Sequence, residues 1–220
     1  MQTTSKCNLR LLGDSIFDNA AYVPGEHPVA EQLQAKLKGR SIQVKLSAVD
    51  GAVTRDVCGY QLPDRGVDRE LLVLSTGGND ALGHISLLHG TSTAQFSEIL
   101  THFHFIREGF RRDYAGLLDT LQATGSPVLV CTIYNPDFGR DEHTQSLQEP
   151  AEAALSFFND VIVQEATKRG FSILDLREVS TESDDFANPI EPSARGGDKI
   201  TDLICEWVIS TLECPSTKCA

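Results

Sequence analysis

The sequence has no long apolar run. Residues 1–7 contain no apolar stretch, so the chain as given begins without the apolar segment of a signal peptide. No later stretch approaches the roughly 20 apolar residues that a membrane-spanning helix needs. We therefore expect a cytoplasmic protein that has no membrane among its partners.

Cysteine pairs with the spacing of a metal site are also absent. The six cysteines are widely separated along the chain, so nothing predicts a zinc site or a disulfide framework. No motif in the sequence calls for a cofactor, and we expect none.

Basic residues are scarce. The chain has 19 lysines and arginines against 31 aspartates and glutamates, which gives a formal net charge of −12. A strongly acidic protein repels phosphate backbones. We therefore expect no nucleic-acid partner.

The length and composition are those of an ordinary globular protein. A chain of 220 residues with 40% apolar residues can form one domain with a substantial core. We expect a single domain over residues 1–213. The polar segment 214–220 is expected to be a disordered tail.

Short apolar runs alternate with amphipathic segments five times along the chain. This alternation predicts an α/β fold in the form of a three-layer sandwich, with a five-stranded parallel sheet and helices on both faces, as in flavodoxin-like folds. The predicted strands are residues 8–12, 42–48, 71–75, 128–133 and 171–176, and the predicted helices are 29–38, 54–60, 93–123, 150–169 and 198–212. The apolar stripe of the longest helix, from Phe96 to Leu121, is expected to lie in the core.

Polar loops follow the first three predicted strands. They contain Ser15, the pair Asp50-Gly51 and the segment Gly77-Gly78-Asn79-Asp80. Because the carboxyl ends of parallel strands meet at one edge of a sheet, we expect these loops to lie together. Ser15 can supply a nucleophilic oxygen, and the N–H groups of Ser15 and Gly51 and the amide of Asn79 can donate hydrogen bonds to an oxyanion. These residue types suit acyl transfer.

The three loops together resemble the sequence blocks of the SGNH/GDSL hydrolase superfamily of esterases, lipases and acetylhydrolases. Gly13-Asp14-Ser15 with Asn19 is similar to the first block, whose serine is the nucleophile. Gly51 falls at the oxyanion glycine of the second block. Asn79 falls at the oxyanion asparagine of the third. The resemblance extends over about residues 8–212 and implies a hydrolase of small carboxylic esters, with acetyl or short acyl groups.

The chain departs from the family in the last block. There the family has Asp-x-x-His before the final helix, whereas this chain has Asn188 and Glu191 at the two positions. No histidine occurs after His143, so local realignment cannot restore one. Glutamate is a weaker base, with a reference pKa near 4.3. Glu191 can take the histidine's place only if burial raises that pKa.

Other histidines are alternatives for the base. His84 and His89 follow the third block and can reach the same edge of the sheet. His102 and His104 lie two positions apart on the longest predicted helix, so their side chains diverge and cannot share a metal ion.

Several hypotheses for function stay open at this point. The first is a serine hydrolase that uses Ser15, Gly51, Asn79 and an unusual base, Glu191. The second is a non-catalytic binding or interaction module that keeps the oxyanion pocket. A flavodoxin-like phosphate or nucleotide site is disfavoured, because no Gly-x-Gly-x-x-Gly follows the first strand. For a substrate's acyl group, the aromatic candidates are Phe17, Tyr22, Tyr134 and Phe138.

Overall fold

The computed structural model describes residues 7–62, 70–88, 95–140 and 142–213. The strands are β1 Cys7–Gly13, β2 Ile42–Leu46, β3 Glu70–Ser75, β4 Val128–Cys131, β5 Ser172–Leu174, β6 Phe186–Asn188 and β7 Glu191–Pro192. The helices are α1 Val29–Lys36, α2 Thr54–Asp56, α3 Gly78–Leu82, α4 Phe96–Gln122, α5 Gln148–Lys168 and α6 Ala194–Glu213. His89 and the segment 214–220 lie outside the described residues.

The main sheet has five parallel strands in the order β2-β1-β3-β4-β5. This confirms the predicted α/β architecture. The strand order reverses between β1 and β3, and open sheets of this kind bind ligands at the carboxyl ends of the strands beside that reversal. All residues of β3 are buried, because helices cover both faces of the sheet.

Helices pack on both faces of the sheet and form two cores. On one face α1 and α6 contribute residues such as Leu33 and Ile204. On the other face α4 and α5 contribute residues such as Tyr114 and Ile162. The two layers of helices and the sheet between them make the predicted three-layer sandwich.

The first turns of α4 lie outside the core, contrary to the prediction. Phe96 is 73% exposed, whereas Tyr114 and Leu121 are fully buried. The 27 residues of α4 extend about 40 Å, about twice the length of the six-residue strand β3. The first turns of the helix therefore extend past the sheet, whereas Ile106, farther along, already packs against the core.

The polar stretch before the last helix also differs from the prediction. It contains the antiparallel pair β6–β7, and α6 starts at Ala194, so Gly196 lies inside the helix rather than before it. A Cβ at Gly196 would lie 2.1 Å from the carbonyl oxygen of Asp185. The glycine therefore lets α6 begin in contact with the segment that leads into β6.

One further local difference concerns the loop between β2 and β3. The segment predicted as one helix over 54–60 consists of the single turn α2 followed by a π-helical turn, Val57–Gln61. Among the described residues, no helix is both long enough and apolar enough to cross a membrane.

Candidate active site

The turn that carries Ser15 is held against the neighbouring strand. Gly13, the last residue of β1, has a φ of +130°, and a Cβ there would lie 1.7 Å from the carbonyl oxygen of Ser75. Only glycine fits this close approach. The turn continues as the Ile16 N–H donates to Asp14 Oδ1 at 3.2 Å, which leaves Ser15 at the carboxyl end of β1.

The side chain of Gln61 clamps the end of β1. The Gly13 N–H donates to Gln61 Oε1 at 2.7 Å, and Gln61 Nε2 donates to the Gly13 carbonyl at 2.8 Å. Gln61 is 2% exposed, so both bonds are shielded from water. Sequence reasoning missed this residue, because its partner lies 48 positions away and no local pattern marks it.

Asn19, the last residue of the first block, connects the serine turn to the segment that carries Glu191. Its Nδ2 donates to the Pro192 carbonyl at 3.4 Å, and its Oδ1 accepts from the Val29 N–H at 2.9 Å. One fully buried amide therefore links the turn, the start of α1 and strand β7.

Glu191 contacts Ser15 directly. Ser15 Oγ donates to Glu191 Oε1 at 3.0 Å, and the two residues are 6% and 5% exposed. The second carboxylate oxygen, Oε2, is buried and has no hydrogen-bond partner among the described residues. The carboxylate therefore has one oxygen on the serine and one free acceptor.

Asn188 supports the backbone of Glu191 rather than its carboxylate. Its Oδ1 accepts from the N–H groups of Ile190 and Glu191, both at 3.0 Å. In a serine–histidine–carboxylate triad, the third member orients the base through its side chain. Here the residue at that position fixes the turn between β6 and β7, from which Glu191 reaches Ser15.

Burial gives Glu191 the proton affinity of a base near neutral pH. The pKa of Glu191 is raised to about 7, chiefly because burial disfavours the ionised carboxylate, while the hydrogen bond from Ser15 lowers it and the nearby Asp50 raises it. A general base works best when its pKa lies near the operating pH. The sequence alone left open whether burial raises the pKa of Glu191, and in the folded chain it does.

The loop after β3 contributes Asn79 to the cavity that Ser15 lines and contacts the loop after β2. Asn79 Nδ2 donates to the Ala52 carbonyl at 3.0 Å, which ties the third block to the loop of Gly51. The Asn79 amide keeps a second N–H. Within the described parts of the chain, the N–H groups of Ser15 and Gly51 have no acceptor. Each of these three residues therefore has an N–H without an acceptor among the described residues.

A cavity of about 110 Å³ opens beside Ser15 and Glu191. Most of its lining is apolar, and Ala81, Ala151 and Ala154 keep it open by the small size of their side chains. Of the four aromatic candidates, Tyr134 and Phe138 line it. Phe17 is fully buried in the core on the α1 side of the sheet. The Tyr22 hydroxyl donates to Asp50 at 2.8 Å, and Tyr22 is not among the lining residues.

The histidines do not take the place of Glu191 in the described structure. His84 lines the cavity, yet the hydrogen bond of the Ser15 hydroxyl goes to Glu191. His102 and His104 belong to no group of three or more potential metal ligands among the described residues. His89, the other alternative, is outside the described part of the chain.

Asp14 is a second buried carboxyl in the same cavity. It is 3% exposed and lines the cavity together with Glu191. Burial is the main reason why its pKa is raised to about 7; the negative charges of Glu191 and Asp80 raise it further, and the N–H of Ile16 lowers it. The sequence showed Asp14 only as part of a turn motif, because burial of a carboxyl cannot be read from the chain.

The fold is an α/β sandwich in which a serine turn and two polar loops follow the first three strands of a parallel sheet. The model of the GDSL-like lipase/acylhydrolase family matches residues 11–199. The chain belongs to this family, and its enzyme class is that of the carboxylic ester hydrolases.

Solved structures share the fold at low sequence identity. Phospholipase A1 from Streptomyces albidoflavus NA297 has 16% identity and a TM-score of 0.65, over 92% of this chain and 99% of that chain. An extracellular lipase from Streptomyces rimosus has 19% identity and a TM-score of 0.63, over 91% and 99%. The acetyl xylan esterase AlAXEase has 18% identity and a TM-score of 0.65, over 91% and 99%. A search of curated proteins found no match.

Proposed function

We propose that this protein is a serine hydrolase that cleaves esters of acetyl and other short acyl groups, with Ser15 as nucleophile and Glu191 as general base. The observation that carries the proposal is the buried hydrogen bond of 3.0 Å from Ser15 Oγ to Glu191 Oε1. This distance is within the range in which a base can accept the proton of a nucleophile.

The proposed reaction has two stages. Glu191 accepts the Ser15 proton as Ser15 Oγ attacks the ester carbonyl carbon. Protonated Glu191 then gives that proton to the departing alcohol oxygen. Water next attacks the acyl-serine ester, its proton goes to Glu191, and the proton returns to Ser15 Oγ as the carboxylic acid product leaves. The N–H groups of Ser15 and Gly51 and the Asn79 amide stabilise the negative oxygen in both stages.

The cavity accounts for the proposed preference for short acyl groups. An engineered apolar cavity of about 150 Å³ holds benzene, so about 110 Å³ has room for roughly four carbon atoms. Its lining offers dispersion contacts to an acyl chain and few polar groups away from Ser15. The phospholipase, the lipase and the acetyl xylan esterase of similar fold are named for ester substrates, and the acetyl group in the last name is a short acyl group.

A fluorophosphonate probe tests the nucleophile directly. We expect stoichiometric labelling of the wild-type protein, with mass spectrometry placing the adduct on Ser15, and turnover of p-nitrophenyl butyrate that disappears with labelling. An unlabelled Ser15 and no turnover would instead favour the alternative function, a non-catalytic module that binds an anionic group in the oxyanion pocket.

Removing the Asn79 side chain is expected to weaken the oxyanion hole. For Asn79→Ala, kcat/KM for p-nitrophenyl butyrate should fall about 10²–10³-fold, because one such donor contributes about 2.7–4 kcal/mol to the transition state. The control is Asn159→Ser, which alters an amide bonded to the backbone of Ile133. A decrease no larger than that of the control would exclude Asn79 from the oxyanion hole.

Filling the cavity is expected to shorten the accepted acyl chain. Ala154→Leu should lower the ratio of kcat/KM for p-nitrophenyl butyrate over acetate by about 15-fold, because two methylene groups at about 0.8 kcal/mol each lose their buried site. The matched control is Ala153→Leu, since Ala153 is the exposed neighbour on the same helix. Equal ratios in the two variants would show that the acyl group does not enter this cavity.

A further inference from the structure

The site contains a carboxyl that the proposed reaction does not use. Asp14 directly precedes Ser15, is 3% exposed and lines the same cavity as Glu191. Its Oδ1 accepts a hydrogen bond from the Ile16 N–H at 3.2 Å. A buried carboxyl beside the nucleophile affects the charge of the site whether or not it touches the substrate.

The two carboxyls lie among groups that are mostly acidic or neutral. Among the described residues, neither Asp14 nor Glu191 takes part in an ion pair within 4.0 Å. The titratable groups whose charge interacts with one or both of them are Tyr22, Asp50, Asp80, Cys131 and Tyr134. His84 lines the same cavity and forms no ion pair with either carboxyl.

Two carboxyls in one water-poor site resist simultaneous ionisation. The first negative charge disfavours the second, so the pair titrates in two steps that belong to the pair. In a site of this family with histidine as the base, the partner of Asp14 would be a group that becomes positive. In this chain the partner of Asp14 is Glu191, which becomes negative when it ionises, as Asp14 does.

We propose that Asp14 and Glu191 together hold one proton in the active form of the site, so that the two buried carboxyls beside Ser15 carry one negative charge between them. This inference rests on the proposed role of Glu191 as the base. When both carboxyls are protonated, Glu191 cannot accept the Ser15 proton. When both are ionised, the second negative charge lies beside the oxyanion that develops in the transition state and opposes it.

The titration of Asp14 agrees with this arrangement. Burial is the largest cause of its raised pKa of about 7, and ionised Glu191 is among the further causes. The hydrogen bond that Glu191 accepts from Ser15 favours the ionised form of Glu191. Asp14 likewise accepts a hydrogen bond, from the Ile16 N–H, that favours its own ionised form, so the two carboxyls titrate as a pair rather than independently.

The pH profile of kcat/KM for p-nitrophenyl butyrate tests the proposal. The wild-type profile should be bell-shaped, and Asp14→Asn should lose the alkaline limb and keep the acid limb, since asparagine still accepts the bond from Ile16 and never ionises. Asp198→Asn, at the surface beside Lys36, should keep both limbs. An alkaline limb unchanged in Asp14→Asn would overturn the proposal.

A stability cycle tests the same pair without any catalysis. Urea unfolding of the wild type, Asp14→Asn, Glu191→Gln and the double variant should show non-additivity at pH 9, equivalent to about tenfold or more in the unfolding equilibrium constant, and additivity at pH 4. Additive effects at both pH values would refute the coupling. If no variant hydrolyses esters, the proposed function fails, while this cycle still decides whether the carboxyls interact.

A comparison of two proteins suffices if Asp14→Asn does not fold. Between about pH 4 and 7 the wild type should lose stability with rising pH, because the unfolded chain releases the Asp14 proton near pH 4 whereas the folded protein keeps it up to its raised pKa of about 7. Glu191→Gln removes the neighbouring charge, so the loss over this interval should become shallower. An unchanged slope would contradict the proposal.

Discussion

Ser15→Ala is expected to abolish ester hydrolysis, with a loss in kcat of at least about 10³-fold for p-nitrophenyl butyrate. The reason is that alanine has no oxygen to form the acyl-enzyme, while the cavity and the oxyanion donors stay in place. The variant should still bind a short carboxylate product, because binding does not need the hydroxyl. Turnover should be followed with the wild type and the variant at equal concentration and pH 7.5.

The control for Ser15→Ala is Ser156→Ala, which removes a serine hydroxyl from the exposed side of α5. Its activity should stay within about twofold of the wild type, as is usual for a surface substitution. If Ser15→Ala turned over ester at the wild-type rate, Ser15 would be excluded as the nucleophile.

Glu191→Gln is expected to lower kcat/KM by about 10³-fold. Glutamine has nearly the shape of glutamate and can accept the hydrogen bond from Ser15, but it cannot take the proton away. The expected loss therefore measures base catalysis rather than the loss of a contact. Because the wild-type pKa of Glu191 is raised to about 7 by burial, wild-type kcat/KM should fall as pH decreases through that value. The residual activity of Glu191→Gln should not show this decrease.

Two further variants test whether a histidine at position 191 can act as the base. Glu191→His should retain measurable activity, because imidazole has a reference pKa near 6.5. Combined with Asn188→Asp it restores the Asp-x-x-His of the family, and the double variant should exceed Glu191→His alone, since aspartate can orient the imidazole. Full activity in Glu191→Gln would exclude Glu191 as the base. His84, which lines the same cavity, would then be the next candidate for that role.

The main architecture could be predicted from local patterns. An apolar run such as that of β3 is characteristic of a strand buried on both faces, and its alternation with amphipathic segments specifies a parallel sheet. The stripe of α4 predicted a helix correctly but placed Phe96 in the core wrongly. Helical periodicity indicates which face of a helix is apolar, whereas only the length of the neighbouring sheet decides how far along the helix that face is covered.

The same division holds for the site. The sequence by itself determined that Ser15, Gly51 and Asn79 follow three strands of one sheet, because residue type and chain order suffice for that. By resemblance it also predicted that Glu191 stands where the family has a histidine. Only the tertiary structure decided that Glu191 lies 3.0 Å from Ser15 with its pKa raised, that Gln61 clamps Gly13, and that Asp14 is buried in the same cavity. The physical reason is that proton affinity depends on burial and on the charge of neighbours from distant parts of the chain, and these are set only when the chain has folded.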